Sequence, residues 1–98
     1  MAISTVPKQY IVAPVTFPAV TVEASKPAVI TASAAKEGYT PIGILGIAKT
    51  LVGSGTSTYI TLTTFYLSGD TITTGWHNDS TVDRTITVTC SVLYEKSS

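Results

Sequence analysis

Residues Thr85 to Glu95 read Thr-Ile-Thr-Val-Thr-Cys-Ser-Val-Leu-Tyr-Glu, and no other stretch constrains the fold as strongly. Ile86, Val88, Cys90, Val92 and Tyr94 fall on every second residue, with Thr85, Thr87, Thr89 and Ser91 between them. A period of two puts one set of side chains in a core and the other in water, which defines a strand and excludes a helix. Val, Ile, Thr and Tyr also suit a pleated, half-buried surface. The run is about twice the common strand length of five or six residues, so it is expected to cross a whole sheet near its centre. The shorter segments upstream need such a partner.

Those segments are punctuated at roughly ten-residue intervals. Residues 1 to 19 carry Pro7, Pro14 and Pro18 around Tyr10, Ile11, Val12, Val15 and Phe17. Proline lacks the N–H that a central strand donates, so this part reads as an extended arm or an edge. The five apolar residues Tyr10, Ile11, Val12, Val15 and Phe17 are candidates for an attachment surface; the alternative is a tail laid over its own domain. Val20 to Ala24, a turn at Ser25-Lys26-Pro27, and Ala28 to Ser33 read as a first hairpin. Tyr39 to Thr50 breaks strict alternation at Gly43 and Gly46 and reads as a strand buried on both faces, each glycine marking a bulge or a close backbone approach. Val52 to Thr58 reads as a loop. Tyr59 to Ser68, the Ser68-Gly69-Asp70 turn and Thr71 to Asn78 form a second hairpin. Six strands plus the arm predict an all-β domain over residues 20 to 96, an antiparallel, jelly-roll-like β-sandwich of about six to eight strands.

The charge content bears on function. Lys plus Arg and Asp plus Glu balance at six each, and charged residues are only 12% of the chain, so no basic field attracts nucleic acid or an anionic membrane. Eighteen Thr and ten Ser take the place of charges. Such strand edges lack the charge repulsion that ordinarily blocks pairing, and need cover from the fold or from another copy. Cys90 is the single cysteine, on the apolar side of the Thr85 to Glu95 strand, where it acts as a small hydrophobe. No basic segment followed by an apolar run opens the chain, and no stretch is long and apolar enough for membrane insertion.

Signals for chemistry are few. His77 is the only histidine, so an acyl-transfer arrangement would have to use it, with Asp79, Asp70 or Asp83 orienting the ring. Paired acids, a second metal-ligating histidine and a cofactor motif are missing, so neither enzyme activity nor a cofactor is expected. Asn78-Asp79-Ser80 matches a glycosylation triplet but reads as a turn. Trp76 has two readings. It shares a face with Ile72 and belongs in the core, or Trp76, His77 and Asn78 form a small platform for a host-surface glycan.

Four stretches then carry a resemblance. Gly38-Tyr-Thr-Pro-Ile-Gly-Ile-Leu-Gly46, the Tyr66-Leu67-Ser68-Gly69 turn, the Asn78 loop and the Val88 to Tyr94 strand together resemble a small β-domain of tailed-bacteriophage and prophage structural proteins. The likeness spans roughly residues 20 to 96. It implies a virion component, assembled in the host cytoplasm as a homotrimer among other virion proteins: a fibre part, a capsid decoration or a receptor-binding tip. On that reading the arm at 1–19 attaches to the particle, and the loops at 53–58, 68–70 and 78–84 form the exposed end. No catalytic or binding residue is implied by the resemblance.

Overall fold

The structure is a computed structural model that describes residues 8–52 and 59–97. Among these residues seven strands appear in chain order: β1 (Tyr10–Thr16), β2 (Val20–Val22), β3 (Pro27–Ser33), β4 (Tyr39–Leu51), β5 (Ile60–Ser68), β6 (Thr71–Asn78) and β7 (Arg84–Lys96). They form two antiparallel sheets, consistent with a β-sandwich. In the first, β7 is central, with β1 and β2 end to end along one side and β4 along the other. The second runs β3-β6-β5.

The alternation in β7 becomes the core. Ile86, Val88, Cys90, Val92 and Tyr94 are all buried, beside Phe17 and Val22 from the same sheet and Ile30, Ile60, Ile72 and Trp76 from the other. Each fully buried Val or Ile contributes about 1.5–3 kcal/mol relative to leaving it exposed. Tyr94 reaches across the sandwich, and its hydroxyl donates to the Ala34 carbonyl at 2.8 Å.

The proline-broken segment holds a place inside this domain. β1 pairs with β7 from Tyr10↔Glu95 to Thr16↔Thr89. Ile11 and Val15 pack against the core, and Phe17 is buried in it. Phe17 N donates to Val88 O and Lys96 N to Gln9 O, so odd-numbered residues of this strand bond to β7. The missing N–H of Pro14 therefore faces the open edge, where it costs no ladder bond and discourages pairing with another strand. Of the five residues singled out as an attachment surface, only Tyr10 and Val12 are exposed. The other three are used in holding the domain together.

Three further expectations are corrected. β2 and β3 are not a hairpin: Val22 pairs with Arg84 in one sheet and Pro27 with His77 in the other. The turn between them, closed by Lys26 N donating to Glu23 O and holding Ser25 at φ 59°, carries the chain from sheet to sheet. β4 is not buried on both faces. It is an edge strand with bulges between Pro41 and Gly43 and between Ile44 and Gly46, which leave Ile42 and Leu45 exposed. Each bulge shifts the alternation by one residue, so the side chains paired with the core face of β7 are Pro41, Ile44, Ile47, Lys49 and Leu51. The 59–78 hairpin forms as expected, with Gly69 at φ 58° in its turn, but β5 also carries a bulge between Leu62 and Thr64. That bulge puts Phe65 and Leu67 on the same face as Ile60 and Leu62, whereas strict alternation along the strand would set them opposite.

Candidate functional site

The loop after β6 is organised by a buried side chain. Asn78 Nδ2 donates to Val22 O and to Val82 O, both at 2.9 Å. Its Oδ1 accepts from Ser80 N at 2.9 Å and lies 2.7 Å from the Ser80 hydroxyl. The first of these acceptor bonds is an Asx turn, in which Asn caps the backbone two residues on. All the hydrogen-bonding capacity of the amide is used inside the protein. Asn78 is therefore neither a glycan-platform residue nor an accessible glycosylation acceptor.

Trp76 is likewise withdrawn from the surface. It is 2% exposed, and its Nε1 donates to Thr74 Oγ1 at 2.8 Å; Thr74 in turn donates to Ile30 O at 3.0 Å. A buried indole needs such a partner. The Trp76-His77-Asn78 platform does not exist as a surface, because alternation along β6 sends Trp76 and Asn78 inward. His77 alone of the three points outward.

His77 belongs to a different group. Its Nδ1 lies 2.6 Å from Asp79 Oδ1, and with the carboxylate ionised the ring N–H donates. Thr61 Oγ1 donates to Asp79 Oδ2 at 3.2 Å. Beside them, Arg84 Nε donates to the Ser80 hydroxyl at 3.2 Å, and the guanidinium lies 5.4 Å from the centre of the Tyr59 ring. Tyr59, Asp79, Ser80, Thr81 and Arg84 line an open pocket of about 280 Å³. Of the three aspartates considered beside His77, Asp79 is the one paired with it. Among the described residues no hydroxyl nucleophile is hydrogen-bonded to the other side of the ring, and no three His, Cys, Asp or Glu side chains gather to hold a metal.

Tyr59, Thr61 and Arg84 were not foreseen as a group. The pairing of Ile60 with Asn78 brings Tyr59 beside the 79–83 loop, and Arg84 opens β7 just after it. In sequence Tyr59 stands 25 residues before Arg84, and only strand register joins them.

A second, apolar feature lies at the seam between the two sheets. Ile44, Leu45, Gly46 and Ile47 of β4 face Leu62 and Phe65 of β5 across a groove of about 180 Å³. Leu45 is 60% exposed and Phe65 49%.

The loops expected to share one exposed end do not. The 68–70 turn and the 79–83 loop sit at opposite ends of β6, about 25 Å apart at roughly 3.3 Å per residue. The Gly53 to Thr58 loop lies outside the described residues. Lys8, whose ammonium contacts Glu95 at 2.8 Å, lies at the far end of β7 from Arg84. Comparison with known proteins adds nothing to this picture: no family model matches the chain, and no curated protein or solved structure matches it.

Proposed function

We propose that the chain is a non-enzymatic structural component of a bacteriophage particle, a homotrimeric capsid decoration or fibre part. The reading rests on the resemblance of residues 20 to 96, and one structural observation supports it most. The sandwich is polar in its layout: residues 8–10 lie at the Glu95–Lys96 end, and the Tyr59, Asp79 and Arg84 group lies at the other. Attachment at the first end, through the segment leading into β1 and the exposed Tyr10 and Val12, presents the second outward.

The seam residues Leu45 and Phe65 suit contact with a second copy: the β4 bulge leaves Leu45 outward, and Phe65 stays half exposed on the edge strand β5. The β1 and β4 edges are poor templates for strand addition. β1 carries Pro14, and β4 carries two bulges and Lys49 at an inward register position. At these two edges side-chain packing, with the backbones apart, is the mode of assembly that this leaves.

The test is immunogold labelling of purified particles with an antibody raised to the loop-end surface around Tyr59 and Arg84. Labelled particle exteriors are expected. Particles that lack the chain by mass spectrometry would overturn the reading.

A further inference from the structure

We propose that the pocket lined by Tyr59, Asp79 and Arg84 binds a neutral saccharide, through residues other than the Trp76-centred platform. This goes beyond the particle role and does not depend on it.

The chemistry of the wall favours this class. A sugar ring offers vicinal hydroxyls, each able to donate and to accept, and a patch of C–H. Arg84 supplies donors: among the described residues only its Nε is engaged, by Ser80, so the two Nη groups remain for a ligand. Asp79 supplies acceptors, its carboxylate held in place by His77 on one oxygen and Thr61 on the other. A carboxylate and a guanidinium lining one pocket match a pair of hydroxyls, and the Thr81 hydroxyl extends the rim. Tyr59 is 46% exposed, and the guanidinium near its ring helps fix it as a flat apolar wall.

Charge decides against ionic ligands. Arg84 and Asp79 line the pocket together and offset one another. An anionic ligand meets the Asp79 carboxylate, and a cationic one meets the guanidinium. Size is the other limit. The volume is slightly under the roughly 300 Å³ at which typical ligand pockets begin, which allows one sugar unit at a dissociation constant on the order of millimolar.

The loop behind this wall is held by hydrogen bonds on several sides. Ser25 N donates to Ser80 O, Asp79 N to Tyr59 O, and Asn78 pins the loop from beneath. The site is therefore formed before the ligand arrives, which keeps the ordering cost of binding low.

The experiment is an amide chemical-shift titration of the full chain with the methyl pyranosides of glucose, galactose, mannose and N-acetylglucosamine, with glucuronate and glucosamine as charged probes. Saturable shifts at Thr61, Ser80, Thr81 and Arg84 are expected with at least one neutral pyranoside. They should weaken at least tenfold in Tyr59→Ala and in Arg84→Gln, and persist in Tyr66→Ala, near the far end of β5. No saturable shift with any neutral pyranoside, shifts mapping elsewhere, or a response to the charged probes alone would each overturn the proposal. The wild-type map decides the matter if a variant fails to fold.

Discussion

The side chain of Asn78, the last residue of β6, hydrogen-bonds the carbonyl of Val22, the last residue of β2 in the opposing sheet, at 2.9 Å. One amide thus joins the two layers of the sandwich at the end where the loop pocket sits.

Removing that amide strands several buried polar groups at once. Asn78→Ala is expected to cost about 3 kcal/mol, since each buried group left unsatisfied costs roughly 1–3 kcal/mol. Asn78→Asp should be at least as damaging, because a carboxylate would face the carbonyls of Val22 and Val82 in place of an NH₂ donor. Urea unfolding of both variants checks this, and a loss below about 1 kcal/mol would contradict the role given to Asn78.

Gly75 sits beneath the β5 bulge. A Cβ there would come within 2.8 Å of Thr64 Cγ2 and 2.9 Å of Thr63 Oγ1. Gly75→Ala should therefore destabilise by about 1–3 kcal/mol, the usual cost of forcing extra atoms into a packed site. Combining it with Thr63→Ala and Thr64→Ala should recover at least half of that loss. A penalty unchanged by the threonine substitutions would show that the bulge is not the cause.

Trp76 should behave as a core fluorophore. Its emission should be blue-shifted and poorly quenched by iodide in the native state, and should redden only on unfolding. Saccharides that titrate the Tyr59 pocket should leave the emission unchanged. A native spectrum typical of water-exposed indole would contradict the burial.

Alkaline pH gives a test with a definite sign. Burial raises the Cys90 thiol above its ordinary 9.0, and burial, followed by the charge of Asp70, raises the Tyr94 hydroxyl above its ordinary 10.0. A raised pKa means that the folded state holds the proton more tightly than the unfolded one. The stability from these groups is complete below the unfolded values and is lost as pH climbs through 9 and 10 towards the folded ones. Unfolding free energy should therefore decline above about pH 9. The decline should be shallower in Cys90→Ala and in Tyr94→Phe. An equally steep decline in both variants would assign the effect to other groups.

Much of the fold was legible because its strands obey local rules. β7 could be read from its alternation alone, and the β5–β6 hairpin from Gly69 in its turn. The glycines of β4 marked its bulges. What local rules could not supply was the partner of each strand. Val20–Val22 and Pro27–Ser33 are adjacent and extended, as a hairpin would be, yet they lie in different sheets because Ser25 turns the chain across the sandwich. Bulges hid the facing of Leu45 and Phe65, since one extra residue reverses every side chain beyond it. The candidate site was legible only as His77 with Asp79. The tryptophan that drew notice was buried by the same alternation that exposes His77, and Tyr59 and Arg84 meet only through the sheet register.

The most direct test of the account as a self-assembling particle component is the mass of the purified chain by light scattering over a range of concentrations. The account predicts three times the chain mass of 10.2 kDa, falling to one chain when Leu45→Asp and Phe65→Asp charge the seam. A wild-type protein that stays at the mass of one chain at every concentration would contradict it.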